Sequence, residues 1–255
     1  MADPVKKEIA SEGGHWYDAK TGEPRYTIVG ANGQERSTTL RDARKLGLVP
    51  SVTTITKIMD KPLLGAWLQK QVLIAALLVT RLTDETDEAW HARIMDEASA
   101  KSKAARDKGA AVHGAIERYA QGQSIESDYA VHCASVDAEM LKSKLVLKEG
   151  KSEHSFAHVD GFGGKNDWHN PTVVVDFKTK DKIDDAKKLV WDEHVMQLAA
   201  YAYGLGIESP RCMNVFIGVT DNRVVVVEHD AVEIARGLRM FKLALDLWKE
   251  KNNVA

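Results

Sequence analysis

Two carboxylates and a lysine draw attention between positions 164 and 178. Gly164-Lys-Asn-Asp167 is followed, after a turn-like His169-Asn-Pro-Thr172, by an apolar run that ends in Asp176-Phe-Lys178. Residues two apart on an extended strand share a face, so Asp176 and Lys178 project together. Set among Val173, Val174, Val175 and Phe177, such a pair is costly unless its members pair or bind something. Carboxylates on neighbouring strands form a hard-oxygen site suited to Mg²⁺ or Mn²⁺, with waters and phosphate oxygens as further ligands. A lysine beside that ion could orient or help deprotonate a water, or neutralise charge building on phosphorus. Alone, Asp-x-Lys is also a common water-facing pattern, so its neighbours decide.

Those neighbours carry further chemistry. Gln197 and Tyr201 stand one helical turn apart, with His194 on the same face, and display an amide beside a phenol. His113 and Glu117 share a helix face in a segment of small residues, Gly109, Ala110, Ala111, Gly114 and Ala115, that permits close approach of another backbone. Glu153 lies on or before the strand leading to Asp167, as an outer acidic ligand or, by slight preference, a solvated strand end. Trp168 and Trp191 could stack on bases or belong to the core.

Elements must hold these groups in place. His15-Trp-Tyr17 and Arg25 to Val29 flank a turn at Asp18–Gly22 and read as a hairpin that Gly30–Gly33 ends. Val52 to Ile58 suits a strand or a helix capped by Ser51. Pro62 opens a helix whose apolar residues recur at helical spacing and suggest a core element. A long helical region follows, with six acids from Asp84 to Glu97 and then five bases from Lys101 to Arg118. From about residue 145 the pattern turns to strands at 145–147, 155–159, 172–177, 214–219 and 224–228, with helices at 193–203 and 231–251. Strands bracketed by helices imply an α/β fold with a helical elaboration packed on it.

The 255 residues, 44% hydrophobic and 28% charged, exclude a disordered or fibrous chain. No apolar run approaches a bilayer span, and the N-terminus lacks a signal-peptide core, so a soluble cytoplasmic protein without membrane contact is expected. Cys133 and Cys212 cannot form a zinc site or an iron–sulfur cluster by themselves. A net charge of −2 argues against holding nucleic acid by bulk positive charge.

In order along the chain, Gly109-x-x-x-His113, Gly164-x-x-Asp167, Asp176-x-Lys178-Thr and Gln197-x-x-x-Tyr201 resemble the PD-(D/E)xK nuclease superfamily, closest to its RecB-type exonuclease branch. That branch includes many phage exonucleases and a mitochondrial genome-maintenance exonuclease. The resemblance spans about residues 105 to 230, and Pro50 to Ile55 with Asp60-Lys-Pro62 looks like the lead-in of phage members. It implies a restriction-endonuclease-like core, a mixed central sheet flanked by helices. Residues 1–60 would form an N-terminal hairpin extension and 61–255 the nuclease domain, with a helical insertion at about 61–140 and a catalytic core at about 141–255.

By the same resemblance Asp167 and Asp176 would ligate Mg²⁺, for which Mn²⁺ would substitute, with His113 as a further ligand and Glu117 or Glu153 as additional candidates. Lys178 would be the catalytic lysine, with Gln197 and Tyr201 positioning DNA or the Asp-x-Lys segment. Asp160 competes with Asp167 for its role, but the glycine before Asp167 and the strand after its turn fit better. The cysteines that hold an iron–sulfur cluster in some relatives are missing, so no cluster is expected. Local lysines would supply DNA contacts: Lys101, Lys103, Arg106 and Lys108 before His113, Lys142, Lys144, Lys148 and Lys151 before the core hairpin, and Lys180, Lys182, Lys187 and Lys188 after Lys178. The function implied is a metal-dependent DNA exonuclease of phage or of recombination and repair. A single-strand annealing protein is a conceivable partner. The alternatives are a silent DNA-binding protein on a nuclease fold and a structure-specific endonuclease.

Overall fold

The apolar run before Asp176 becomes the centre of the structure. Val173–Lys180 (β7) lies in a five-stranded sheet between Phe162–His169 (β6) and Arg211–Gly218 (β8). Lys151–His158 (β5) and Val224–His229 (β9) form the two edges. β7 and β8 run parallel and all other neighbours antiparallel, which makes the sheet mixed. Asp192–Gly204 (α6) connects the parallel pair, since parallel strands need a crossover. This computed structural model describes residues 14–186 and 189–254, apart from the side chains of Leu63 and Lys101; Lys187 and Lys188 therefore lie outside the described residues.

Period-two alternation on β7 divides the core. Val173, Val175 and Phe177 face Asp87–Ala120 (α4) and Ala130–Lys142 (α5), where Val112, Ile116, Val136 and Met140 close over them. Val174 faces the other way, toward α6 and Ala231–Asn252 (α7), among Met196, Leu198 and Phe241. Helices thus cover both faces of a mixed sheet.

The N-terminal strands differ in partnership from the sequence expectation. Trp16–Asp18 (β1) pairs with Leu48–Pro50 (β4), and Thr27–Val29 (β2) pairs with Glu35–Ser37 (β3). Gly30–Gly33 is therefore the turn of a second hairpin. Of the expected pairing, the bridge between Tyr17 and Pro24 and the Arg25 N–H bond to the Trp16 carbonyl at 2.7 Å are present. Trp16 instead enters the main core, edge-on to Trp248 of α7. Leu40–Leu46 (α1) packs beside β4, and Ser51 caps Val52–Thr56 (α2), which settles that segment as a helix. Leu145 to Leu147 is not a strand: a 3₁₀ turn at Leu147–Glu149 leads straight into β5.

Pro62–Leu78 (α3) is the helix expected as core, and it is not one. It packs mainly on α4, where Val72, Ala75 and Val79 meet Trp90, Ile94 and Ala98. Its other faces are exposed. Among the described residues no helix is long and apolar enough to cross a membrane.

Candidate active site at the parting of two strands

The β6–β7 ladder holds only the pairs Trp168↔Val175 and His169↔Val174. The next pair in that register would set Asp167 opposite Asp176, and there the strands part. Side chains replace the ladder: the Phe177 N–H donates to Asp167 Oδ2 at 2.7 Å, and Asn166 Nδ2 donates to the Val175 carbonyl at 3.1 Å. The row extends both ways. Asp176 pairs with Asn214 across the parallel ladder. Glu153 lies across from Asp167, between the pairs Ser152↔Trp168 and His154↔Asn166. Three acids and an amide thus cross four adjacent strands.

Like charges side by side on a sheet are destabilising. Burial, reinforced by the charges of Asp176 and Glu153, pushes the Asp167 carboxyl well above the usual carboxylate range. Glu153 also has φ +51°, a left-handed backbone that few non-glycine residues adopt and that collects at functional sites. It sits within β5, half-buried and paired with Lys165, and is not the solvated strand end favoured from sequence.

Asp176 is held by two side chains. Lys178 Nζ lies 2.9 Å from its Oδ1 and 2.7 Å from its Oδ2. Asn214 Nδ2 donates to Oδ2 at 2.8 Å, and the Asn214 carbonyl oxygen meets His229 Nε2 at 2.9 Å. That oxygen can only accept, so Nε2 carries the proton and His229 turns Nδ1 toward Glu233, 3.6 Å away. Lys178 also donates to Gln197 Oε1 at 3.0 Å, which fixes the amide so that its Nε2 donates to the Tyr201 hydroxyl at 2.9 Å. The phenol keeps its own proton to give. Its pKa is raised well above the ordinary value by burial and by Asp176 and Asp167.

Two glycines make these approaches possible. A Cβ on Gly109 would lie 2.6 Å from Thr179 Oγ1, so only glycine lets α4 come this close to β7 beside Lys178. A Cβ on Gly164 would lie 2.8 Å from Tyr201 Cε1. Four residues beyond Gly109, His113 brings Nδ1 to 3.9 Å from Asp167 Oδ2, and burial holds its pKa below the usual histidine value. Glu117 follows one turn later, its carboxyl raised by burial and then by the charge of Glu153.

The described structure therefore brings together His113, Glu117, Glu153, Asp167, Asp176, Lys178, Gln197 and Tyr201. Asp160 lies apart in the β5–β6 turn, accepting from Tyr203 at 2.8 Å. Trp168 belongs to the core, with its indole N–H on the Leu147 carbonyl, whereas Trp191 stays exposed ahead of α6. Lys103, Arg106 and Lys108 are exposed on α4 in the turns before His113, and Lys101 lies on the same helix. Lys180 follows Lys178 on the same strand, its ammonium held below the ordinary value by burial and by Lys178, while Lys182 pairs with Asp184. Sequence reasoning passed over Asn214, His229 and Lys165. An asparagine between Met213 and Val215 in an apolar strand was the available signal, because a buried amide requires partners.

Among the described residues no three His, Cys, Asp or Glu side chains are grouped to enclose a metal ion on their own. A divalent ion here would rest on Asp167 and Asp176, with water or phosphate oxygens completing its shell, which is the manner of Mg²⁺. The donor chemistry fits, and the raised Asp167 carboxyl is the imbalance that a cation would relieve.

No family model matches the chain, and no curated protein matches it in sequence. Solved structures do. A protein of Eubacterium rectale provisionally named an exonuclease aligns at 14% identity and TM-score 0.42, over 63% of this chain and 73% of its own. An alkaline exonuclease of Laribacter hongkongensis aligns at 13% identity and TM-score 0.30, over 73% of this chain and 97% of its own.

Proposed function

We propose that the chain is a metal-dependent nuclease that hydrolyses phosphodiester bonds of DNA from an end. The observation that carries the reading is the parted pair Asp167 and Asp176, with Lys178 and Asn214 both fixed on the Asp176 carboxylate. Mg²⁺, or Mn²⁺ in its place, would supply Lewis-acid polarisation of the phosphate and a more acidic water.

The protein's own groups then have definite tasks. Asp167 and Asp176 hold the cation and thereby place the phosphate. Lys178 is held by both Asp176 oxygens and by Gln197, which fixes its positive charge beside the carboxylates that would place the phosphate. Because it already donates to a carboxylate, Lys178 serves as a positive donor to charge developing on phosphorus, not as a base. Gln197 holds the lysine in line, and Tyr201 offers its remaining proton into the same space. Neutral His113 presents a nitrogen beside Asp167. The lysines and arginine of α4, with Lys180, supply a positive approach for the strand. The proposal extends to a role in recombination or repair, in a phage setting with a single-strand annealing protein as partner.

The test is digestion of end-labelled linear single- and double-stranded DNA with Mg²⁺, with chelator, and beside a closed circular control. Chelator-sensitive loss of linear substrate with the circle intact is expected. Cutting of the circle would make it an endonuclease, and binding without cutting would make it a silent DNA-binding fold. Asp176→Ala and Lys178→Ala should each remove activity while leaving a folded chain.

A further inference from the structure

The most anomalous surface lies away from the acids, on α3. The helix is firmly seated: Trp90 Nε1 donates to the Val79 carbonyl at 3.0 Å, Arg93 joins Glu85 at 2.8 Å, and Lys61 pairs with Glu193 of α6 at 2.9 Å. Among its described side chains, the covered strip runs through Val72, Ala75 and Val79. At 100° per residue, Trp67, Leu73, Ile74, Leu77 and Leu78 fall on one broad outer face, and Leu77 is 88% exposed. These five retain roughly 600 Å² of accessible surface, the upper end of the largest patch seen on ordinary monomers. A standard interface takes about 800 Å² from each partner, of which roughly 500 Å² is apolar. The face is thus large enough to be one side of a stable contact.

Charge on the adjoining helix indicates what covers it. α4 runs beside α3; its stretch 87–97 carries the acids Asp87, Glu88, Asp96 and Glu97 against Arg93, and its stretch 101–108 carries Lys101, Lys103, Arg106 and Lys108 against Asp107. A helix divided in this way is complementary to itself in antiparallel register, which is what a two-fold axis produces. An axis near Ile74 sets each α3 antiparallel to its copy and brings the acidic stretch of one α4 toward the basic stretch of the other. It also sets Lys70, which interrupts the face, across from Leu77 and Leu78 of the second copy, where its stem can lie on apolar surface while the ammonium reaches water. Pairing about Lys70 would instead oppose two ammonium groups.

We infer that the chain is a two-fold dimer in solution, with a second copy covering the outer face of α3 in a four-helix contact of the two α3–α4 pairs. Light scattering on the 255-residue chain at micromolar concentration should give about twice its 28.2 kDa mass. L73E with L77E should give the single-chain mass, with far-ultraviolet circular dichroism and DNA digestion per chain retained. Ile74→Cys, near the axis, should form a covalent dimer under mild oxidation, whereas Val232→Cys, more exposed than Ile74 but away on α7, should not; the native cysteines are buried. A wild-type protein of single-chain mass, a dimer that persists in the double variant, or a monomer that instead adsorbs to lipid vesicles through this face would each overturn the inference. None of these outcomes bears on the nuclease reading, which the digestion assay tests separately.

Discussion

Asn214 Nδ2 donates to Asp176 Oδ2 at 2.8 Å, and the two buried residues are directly paired across the parallel ladder of β7 and β8. The carboxylate therefore takes its orientation from a neighbouring strand as well as from Lys178, and Asn214 takes its own from His229. Support of this kind is set by the sheet and persists whether or not a substrate is bound.

Replacing Asn214 by leucine should therefore weaken DNA digestion by about 10- to 100-fold, the usual effect of losing a group that orients a metal-holding side chain. It also leaves the His229 N–H without its acceptor, at a cost of about 1–3 kcal/mol. Asp176 keeps Lys178, so some activity remains. Steady-state rates against Mg²⁺ concentration check this: the variant should require more metal, and an unchanged requirement would refute the positioning role.

Asp167 makes stability depend on pH in a definite sense. Its carboxyl is raised in the fold, so above the ordinary carboxylate range the native state holds a proton that the unfolded chain has lost. Stability then falls as pH rises through that window. Asp167→Asn should abolish digestion yet raise the melting temperature near neutral pH by about 2–4 °C, the shift expected for ~1 kcal/mol in a chain of this size. Mg²⁺ should raise the melting temperature of the wild type and do little for the variant.

His194 acts in the opposite pH direction. It is pushed down to about 4, first by burial and then by the charge of Lys178, and its Nδ1 accepts from the Trp191 N–H at 3.3 Å. The unfolded chain takes up the proton near 6.5 and the native state does not, so stability is full above that value and is lost as pH falls toward 4. His194→Gln should remove at most about 1.4 kcal/mol per pH unit from that slope. Urea unfolding at pH 7, 6 and 5 would show it.

Gly109→Ala tests the approach of α4 to β7. The added methyl meets Thr179 at 2.6 Å, and overpacking of this kind costs about 1–3 kcal/mol. Because His113 rides on the same helix, DNA digestion should fall by more than the loss of folded protein explains. Pairing Gly109→Ala with Thr179→Ala, which removes the obstructing oxygen, should restore much of both.

Much of the site could be read in the chain. Asp176 and Lys178 share a face because strands alternate, and Gln197 and Tyr201 share one because helices turn every 3.6 residues. Local spacing thus determined the small groups, together with the helix start at Pro62, while Val52 to Ile58 stayed open between strand and helix until the structure showed the Ser51 cap. Spacing did not determine which groups meet. Register alone sets Glu153, Asp167, Asp176 and Asn214 in one row, and register depends on pairing between segments up to 38 residues apart. For the same reason Trp16–Asp18 paired with Leu48–Pro50 and not with the nearer strand. The apolar spacing of α3 implied that the helix buries a face, but only the tertiary structure decided which one. Hydrophobic periodicity records that surface must leave water, and not what it meets when it does.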